Sequence, residues 1–339
     1  MNAPQEHFSG EDMKFRNFAG DGEPVSEIGL GTWQLGADWG NVDDTTAERI
    51  LAQAVDSGVS FFDTADVYGR GLSETRIGRF IKSHEKKLFI ATKLGRFPEP
   101  GGRENVSLKQ FRLHTENSLR RLGVDALDLT QIHCLPTETL KQGDLFEWLR
   151  TLKQEGKIKR FGLSVESMEE AGICLEQEGV SSLQVIFNIF RQKPIAELFD
   201  QAKAKGVALI VRLPLASGLL SGKFKSASTF QETDHRNYNR NGGQFNVGET
   251  FAGIPFEKGV ELSDELKTLV PEGMTLAQMA LRWILDFDAV TVVIPGVTTP
   301  EQADANCSAS DLSPLSSDLH QKLKAFYESR TAPFIRGKY

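Results

Sequence analysis

Four residue types that handle protons follow one another in this chain at the ends of apolar runs. Asp63 closes Phe61-Phe62-Asp63, and Tyr68 lies five residues on, in the loop Thr64-Ala65-Asp66-Val67-Tyr68-Gly69. Lys93 closes Leu88-Phe89-Ile90-Ala91-Thr92-Lys93, and His133 closes Leu127-Asp128-Leu129-Thr130-Gln131-Ile132-His133. On adjacent parallel strands these groups would converge at one mouth. A phenol beside an ammonium is expected to have a lowered pKa, because the cation favours the phenolate. A carboxylate would hold that ammonium, and an imidazole would orient a carbonyl oxygen. Each residue alone has an ordinary role: Asp63 as a turn cap, Tyr68 as a loop aromatic, Lys93 as a solvated strand end, His133 as a hydrogen-bonded structural group. Their order on successive strands favours a proton-handling site.

The elements needed to position them can be read along the chain. Apolar strands are expected at Val25–Thr32, Ser60–Asp63, Leu88–Lys93, Ala126–His133, Ile158–Val165, Leu183–Asn188, Val207–Leu213 and Val290–Ile294, each followed by a helix. Ser73 is expected to cap one helix. Ser107-Leu108-Lys109-Gln110, Ser167-Met168-Glu169-Glu170 and Thr275-Leu276-Ala277-Gln278 read as capping boxes. Pro194 and Pro300 suit a first helical turn, and Gly58, Gly123, Gly156, Gly179 and Gly206 read as stops. Strict alternation requires a parallel sheet, and eight units favour a closed (β/α)8 TIM barrel.

No Pro-, Gly- or Ser-rich linker divides the 339 residues, so they are expected to form one barrel domain over 1–339. Met13–Glu23 reads as a hairpin that plugs the barrel bottom, and Leu319–Tyr327 as an added C-terminal helix. Residues 224–259 fall outside the repeat. Their polar run Asn237-Tyr238-Asn239-Arg240-Asn241-Gly242-Gly243 suggests a lid or substrate wall at the catalytic face, suited to a hydroxylated or anionic substrate.

The formal net charge of -7 argues against a nucleic-acid surface. The three cysteines, Cys134, Cys174 and Cys307, lack metal-ligand spacing and suit a reducing compartment. The N-terminal residues lack a signal-peptide pattern, and no apolar run reaches membrane-spanning length. A cytoplasmic protein with no membrane partner is expected; oligomeric state is not legible.

Proton-handling groups alone do not reduce a carbonyl; a hydride donor is required. No Gly-x-Gly-x-x-Gly follows the first strand. The candidate phosphate loop is Ile294-Pro295-Gly296-Val297-Thr298-Thr299-Pro300-Glu301-Gln302, a strand end running into a helix start.

Along nearly its whole length the chain resembles the aldo-keto reductases. The resemblance is carried by Gly29-Leu30-Gly31-Thr32-Trp33, Phe62 to Gly69, Ala91-Thr92-Lys93, Leu122-Gly123-Val124-Asp125, Gln131-Ile132-His133, Pro214 to Lys223 and Ile294-Pro295-Gly296. It implies a (β/α)8 barrel that binds NADP(H), with NAD(H) also possible, and reduces a small aldehyde or ketone. Tyr68 would be the general acid, Lys93 its pKa modifier, Asp63 the partner of Lys93, and His133 the carbonyl-orienting group. Ser164 and Gln184 would hold the nicotinamide carboxamide. Pro214, Leu215, Ser217, Gly218 and Lys223 would follow the pyrophosphate, and Asn306 would meet the adenine. Thr32, Trp33 and Asp63 complete the coenzyme contacts that the resemblance implies, and Trp33, Tyr68 and His133 would face the substrate.

The chain departs from the common pattern in places. Val165 stands where many members have asparagine, and Arg212 where many have a ring stacked on the nicotinamide. A guanidinium plane also stacks on aromatic faces. Gly296 and Gln302 occupy positions where many members carry basic residues for the 2′-phosphate. Lys223 and Arg236, with Thr298 and Thr299, are the expected substitutes. Two other readings are open. One is a non-catalytic, cofactor-binding regulatory subunit similar to those of potassium channels. The other is a lyase or aldolase that uses Lys93 as a Schiff base.

Overall fold

The computed structural model describes residues 13–19, 22–36 and 42–339. A short antiparallel hairpin comes first, β1 (Phe15–Phe18) with β2 (Glu23–Ser26). Eight parallel strands follow: β3 (Leu30–Gly31), β4 (Phe61–Asp63), β5 (Phe89–Leu94), β6 (Leu129–His133), β7 (Phe161–Ser164), β8 (Val180–Ile186), β9 (Ala208–Arg212) and β10 (Val290–Val293). They pair in sequence order from β3 to β10. Parallel bridges Ile28–Val293 and Gly31–Gly296 join the first strand region to the last, with the Gly29 N–H bonded to the Val293 carbonyl at 2.8 Å. The sheet is therefore a closed barrel, as the alternation of elements predicts.

Side chains alternate between the two faces of each strand. Phe61, Phe89, Ala91, Leu129, Ala208, Ile210, Val292 and Ile294 fill the interior, while Phe62, Ile90, Ile132, Leu163, Leu183 and Leu209 pack outward in the core that includes the helices. The hairpin closes the bottom. Phe18 is fully buried, with ring centroids 4.7 Å from Phe89 and 6.1 Å from Phe61. Further along β4 and β5 the same inward face turns polar, at Asp63 two residues past Phe61 and at Lys93 four residues past Phe89. The hydrophobic plug thus lies below the polar mouth along the same strands.

Several local expectations are corrected. The run Val25–Thr32 is not one strand: Glu23–Ser26 pairs back onto β1, and the barrel strand is Leu30–Gly31, with Ile28 bridged to Val293 just before it. Glu27, between them, turns to an ion pair with Arg16 at 2.7 Å, which ends the hairpin. Ser73 does not cap its helix. The cap of Leu72–Lys82 is Gly71, whose φ of 92° an L-residue avoids. Ser73 instead bonds Thr32 and Thr64 in the wall behind the mouth. Ser107 and Ser167 do cap their helices, but only Thr275 forms the reciprocal box, with Gln278. The Glu170 carboxylate is diverted to the Glu166 N–H at 2.8 Å. The helix after Pro194 breaks at Leu198 into Pro194–Glu197 and Phe199–Lys205. The C-terminal helix spans Ser317–Phe326.

The insertion 224–259 is not merely polar. Phe224, Phe230, Phe251 and Phe256 pack together in it, with neighbouring centroids 4.9–6.0 Å apart. The C-terminal segment ties it down. Arg336 Nε donates to the Gly253 carbonyl at 2.9 Å, and the Tyr339 ring lies 4.1 Å from the buried Arg191 guanidinium. Among the described residues, no helix is long and apolar enough to cross a membrane.

Candidate active site

The strand ends bring the expected proton-handling residues together. Lys93 and Asp63 are 1% and 2% exposed and form a direct ion pair. Lys93 Nζ also donates to the Thr64 carbonyl at 2.9 Å and to Tyr68 Oη at 3.3 Å. The His133 ring stands edge-on to Tyr68, with centroids 5.9 Å apart and planes at 85°. Buried His133 Nδ1 has no hydrogen-bond partner. Trp33 stacks on the other side of Tyr68 at 5.8 Å and 16°.

Register explains the convergence. Lys93 pairs with Gln131 across β5–β6, and His133 with Ser164 across β6–β7. The other inward positions of the upper layer are Gln184 on β8 and Arg212 on β9. Tyr68 is delivered by a turn in which Gly69 and Arg70 both have left-handed backbone. Gly69 is needed there, since a Cβ would come within 2.4 Å of the Gly36 carbonyl oxygen.

The protonation states differ from the simple expectation. Burial raises the Tyr68 pKa, the Lys93 ammonium opposes this, and Asp63 adds to it; the net shift is upward, not downward. Tyr68 is therefore a phenol at neutral pH, with its oxygen accepting from Lys93 and its proton available. Burial works against the Lys93 ammonium, but Asp63 and Tyr68 outweigh it and raise its pKa. Burial, followed by the charges of Arg96, Lys93 and Arg212, holds His133 well below the usual imidazole range. It is neutral and carries one ring N–H.

Other expected contacts are placed variously. Gln184 Nε2 is committed to Asp63 Oδ2 at 2.7 Å, and Ser164 Oγ receives the Cys134 thiol at 3.3 Å. Thr32 Oγ1 donates to the Asp63 carbonyl at 2.8 Å. After Pro214 and Leu215 the chain turns through Ala216, Ser217 and Gly218, all at positive φ. Within it the Ala216 and Gly218 N–H groups donate to the Leu213 and Leu215 carbonyls at 3.0 and 2.9 Å. Ser217 Oγ meanwhile accepts from the Phe251 N–H at 3.1 Å, which binds the turn to the insertion. Arg236 lies beside this turn: its Nη1 is 3.8 Å from where a Cβ on Gly218 would be. Its Nε and Nη2 bind Asp234, at 3.0 and 2.5 Å. Lys223 is exposed just beyond.

At the second loop, Gly296 permits close approach of Gln34, whose amide would meet an added Cβ at 2.2 Å. Gln302 folds back to accept the Thr298 N–H at 2.8 Å, while Thr299 caps the helix Pro300–Cys307. Asn306 is buried in that helix.

Sequence reading missed several groups. Gln131 donates to Asp63 Oδ2 at 3.1 Å; it lies two residues before His133, on the same strand face. A charged cluster also faces the mouth. Arg96 reaches Glu166 at 3.0 Å and Glu249 at 3.4 Å, and Arg212 lies 3.8 Å from Glu249 and 3.7 Å from Cys134 Sγ. Cys134, Glu166 and Glu249 place ligand-type atoms within 4.8 Å of one another, a grouping that spacing did not indicate. The guanidinium groups of Arg96 and Arg212 among them supply the counter-charge. Burial and the neighbouring Glu249 raise Glu166 to about 7. Burial opposes the Glu249 carboxylate, yet Arg212 and Arg96 keep its pKa low.

Residues 27–328 match the model of the aldo/keto reductase family. The chain is 28% identical over 299 residues to the aldo-keto reductase YhdN of Bacillus subtilis, covering 86% of this chain and 87% of that one. It is 29% identical over 299 residues to the aldo-keto reductase yakc [NADP(+)] of Schizosaccharomyces pombe, covering 85% and 84%. Among solved structures, aldo-keto reductase AKR11C1 from Bacillus halodurans, in its holo form, superposes with a TM-score of 0.75 at 26% identity, covering 92% of this chain and 96% of that one. Matches this extensive in both sequence and fold show that the chain belongs to the aldo/keto reductase family and is an NAD(P)H-dependent oxidoreductase.

Proposed function

We propose that the protein reduces an aldehyde or ketone to an alcohol, with NADPH as the preferred coenzyme and Tyr68 as the general acid. The observation that carries this reading is the buried Lys93 ammonium, which touches both Asp63 and the Tyr68 hydroxyl. Bound coenzyme supplies the hydride. Tyr68 gives its proton to the carbonyl oxygen, and the Lys93 charge stabilises the oxygen left behind. Neutral His133 donates its ring N–H to the same carbonyl oxygen and sets its direction. Asp63 keeps Lys93 charged and in reach, and Trp33 walls the substrate side of Tyr68.

The residues present suit a dinucleotide. The left-handed turn at Ser217 and the start of the helix after Thr299 are where the phosphates would approach the backbone. Arg236 and Lys223 would meet the 2′-phosphate, Arg212 and Ser164 the nicotinamide end, and Asn306 the adenine. The NADP(+) in the name of the S. pombe relative supports the coenzyme preference. The test is a panel of carbonyl compounds assayed with NADPH and NADH over multiple turnovers. Turnover with neither coenzyme would favour the regulatory-subunit reading. Borohydride trapping of a carbonyl on Lys93 without nicotinamide would favour the Schiff-base reading.

A further inference from the structure

The charged cluster of Arg96, Arg212, Glu166 and Glu249 takes no part in the proton-handling roles, yet it stands against the groups that do. Arg212 Nη2 donates to the Val165 carbonyl at 3.3 Å and lies 3.7 Å from the sulfur of Cys134, the residue that follows His133. The charges of Arg96 and Arg212 reach His133 itself. Arg212 Nε is buried with no hydrogen-bond partner, so the fold does not consume that side of the guanidinium.

Hydride transfer fixes where the coenzyme ring must lie. The carbonyl oxygen is held at Tyr68 and His133, and the hydride donor has to come within about 3–3.5 Å of the carbonyl carbon. The ring therefore enters the upper layer of the barrel, whose inward groups beyond His133 are Ser164, Gln184 and Arg212. That ring is neutral in NADPH and cationic in NADP+. A guanidinium beside it raises the energy of the cation, and carboxylates lower it. The side chains of Glu166, Glu249 and Arg212 are only 9%, 8% and 12% exposed, so water screens these effects weakly.

We propose that this cluster discriminates between the two redox states of the coenzyme, Arg212 disfavouring NADP+ and ionised Glu166 favouring it, so that NADP+ binding releases a proton from Glu166; this rests on the carbonyl-reduction reading. Glu166 and Glu249 share one guanidinium, that of Arg96, at 3.0 and 3.4 Å. Arg212 favours Glu249, at 3.8 Å. Lys338 is 3.8 Å from Glu166 but 3.0 Å from Glu170, whose carboxylate also accepts the Glu166 N–H. Cys134 is a neutral thiol, since burial raises its pKa, and the Arg191 guanidinium lies against the Tyr339 ring. Glu249 thus holds the ionised form, and Glu166 titrates at about 7. A cationic ring lowers that pKa, so by linkage NADP+ gains affinity relative to NADPH as pH rises through neutrality.

The experiment measures the ratio of the Kd for NADP+ to the Kd for NADPH, by fluorescence titration without substrate, at about pH 6 and about pH 8. The 2′-phosphate is common to both coenzymes, so its own titration cancels in the ratio. In wild type the ratio is expected to fall about fivefold from the lower to the higher pH. Glu166→Gln should hold it at the acid value throughout. Arg212→Met should lower it on the order of tenfold at both pH values, and Arg212→Lys should restore most of the wild-type ratio. Opposite signs in the two variants separate a charge effect from damage to the site, which would weaken both coenzymes alike. A pH-independent ratio in wild type, the same pH dependence in Glu166→Gln, or an unchanged ratio in folded Arg212→Met would overturn the inference. If Arg212→Met folds poorly, the comparison of wild type with Glu166→Gln decides alone. Binding of neither coenzyme would overturn the carbonyl-reduction reading, and this inference with it.

Discussion

Gln184 on β8 donates its side-chain amide to Asp63 on β4, on the opposite wall of the barrel, at 2.7 Å. With Gln131 and Lys93, it surrounds the Asp63 carboxylate with donors. Asp63 is therefore held from both sides of the barrel, and through it Lys93 is held against Tyr68.

Tyr68→Phe keeps the ring that packs between Trp33 and His133 and removes the proton donor. We expect kcat to fall by roughly two to four orders of magnitude. Coenzyme affinity, followed by fluorescence titration, should hardly change. A near-normal kcat would exclude Tyr68 as the acid.

Lys93→Met removes the cation that opposes the upward shift of Tyr68. The Tyr68 pKa should then rise further, and the alkaline limb of the pH–rate profile should move to higher pH as the rate falls. Asp63→Asn should lower the rate less, because Lys93 keeps its bonds to the Thr64 carbonyl and to Tyr68. Retention of the wild-type pH profile in both variants would rule out the coupling. In wild type, no inflection from His133 is expected near the usual imidazole pKa, since burial and the nearby cations keep the ring neutral.

Arg236→Ala tests the coenzyme's 2′-phosphate. The guanidinium is part of a pair with Asp234 beside the Ser217–Gly218 turn. Loss of a charge-assisted hydrogen bond should weaken NADPH binding by about 1.5–3 kcal/mol and leave NADH almost unaffected. Parallel titrations with the two coenzymes give the answer. Equal losses would assign Arg236 to the support of the insertion instead.

Asp66→Asn probes stability. Asp66 is fully buried, neither carboxylate oxygen has a hydrogen-bond partner of good geometry, and His114 Nδ1 is 3.8 Å away. Burial, then the charge of Glu74, raises its pKa well above the ordinary value. Between the unfolded and folded pKa values the folded state holds a proton that the unfolded state has lost, so rising pH costs stability. Asparagine carries no such penalty. The variant should gain stability relative to wild type at pH 7 and gain little near pH 4, measured by denaturant unfolding. A gain of equal size at both pH values would contradict this account.

Much of the barrel was legible because it depends on strand periodicity, helix caps and glycine stops, all of which are local. The convergence of Asp63, Lys93 and His133 was legible for the same reason, since they lie at or near the ends of strands that pair in sequence order. Gln131 escaped notice although it shares a strand face with His133, because a glutamine there has no chemistry of its own until Asp63 is placed beside it. The cluster of Arg96, Glu166 and Glu249 was not legible. Its members come from three loops, and only tertiary packing of the insertion brings Glu249 to the axis. The direction of the Tyr68 shift was misread because a list of neighbouring charges omits burial, which here outweighs Lys93.

The seam between Ile28 and Val293 has a consequence for biogenesis. The strand region that begins the barrel can complete its pairing only after the last strand has been made. During synthesis, an N-terminal portion therefore exposes an unpaired β edge and the apolar face meant for the seam, a surface open to association with other chains. Contacts between residues so distant in sequence also form slowly. Final closure thus waits for the last strand of the barrel, and yield in a producing cell should depend on how well the growing chain is shielded until that strand emerges.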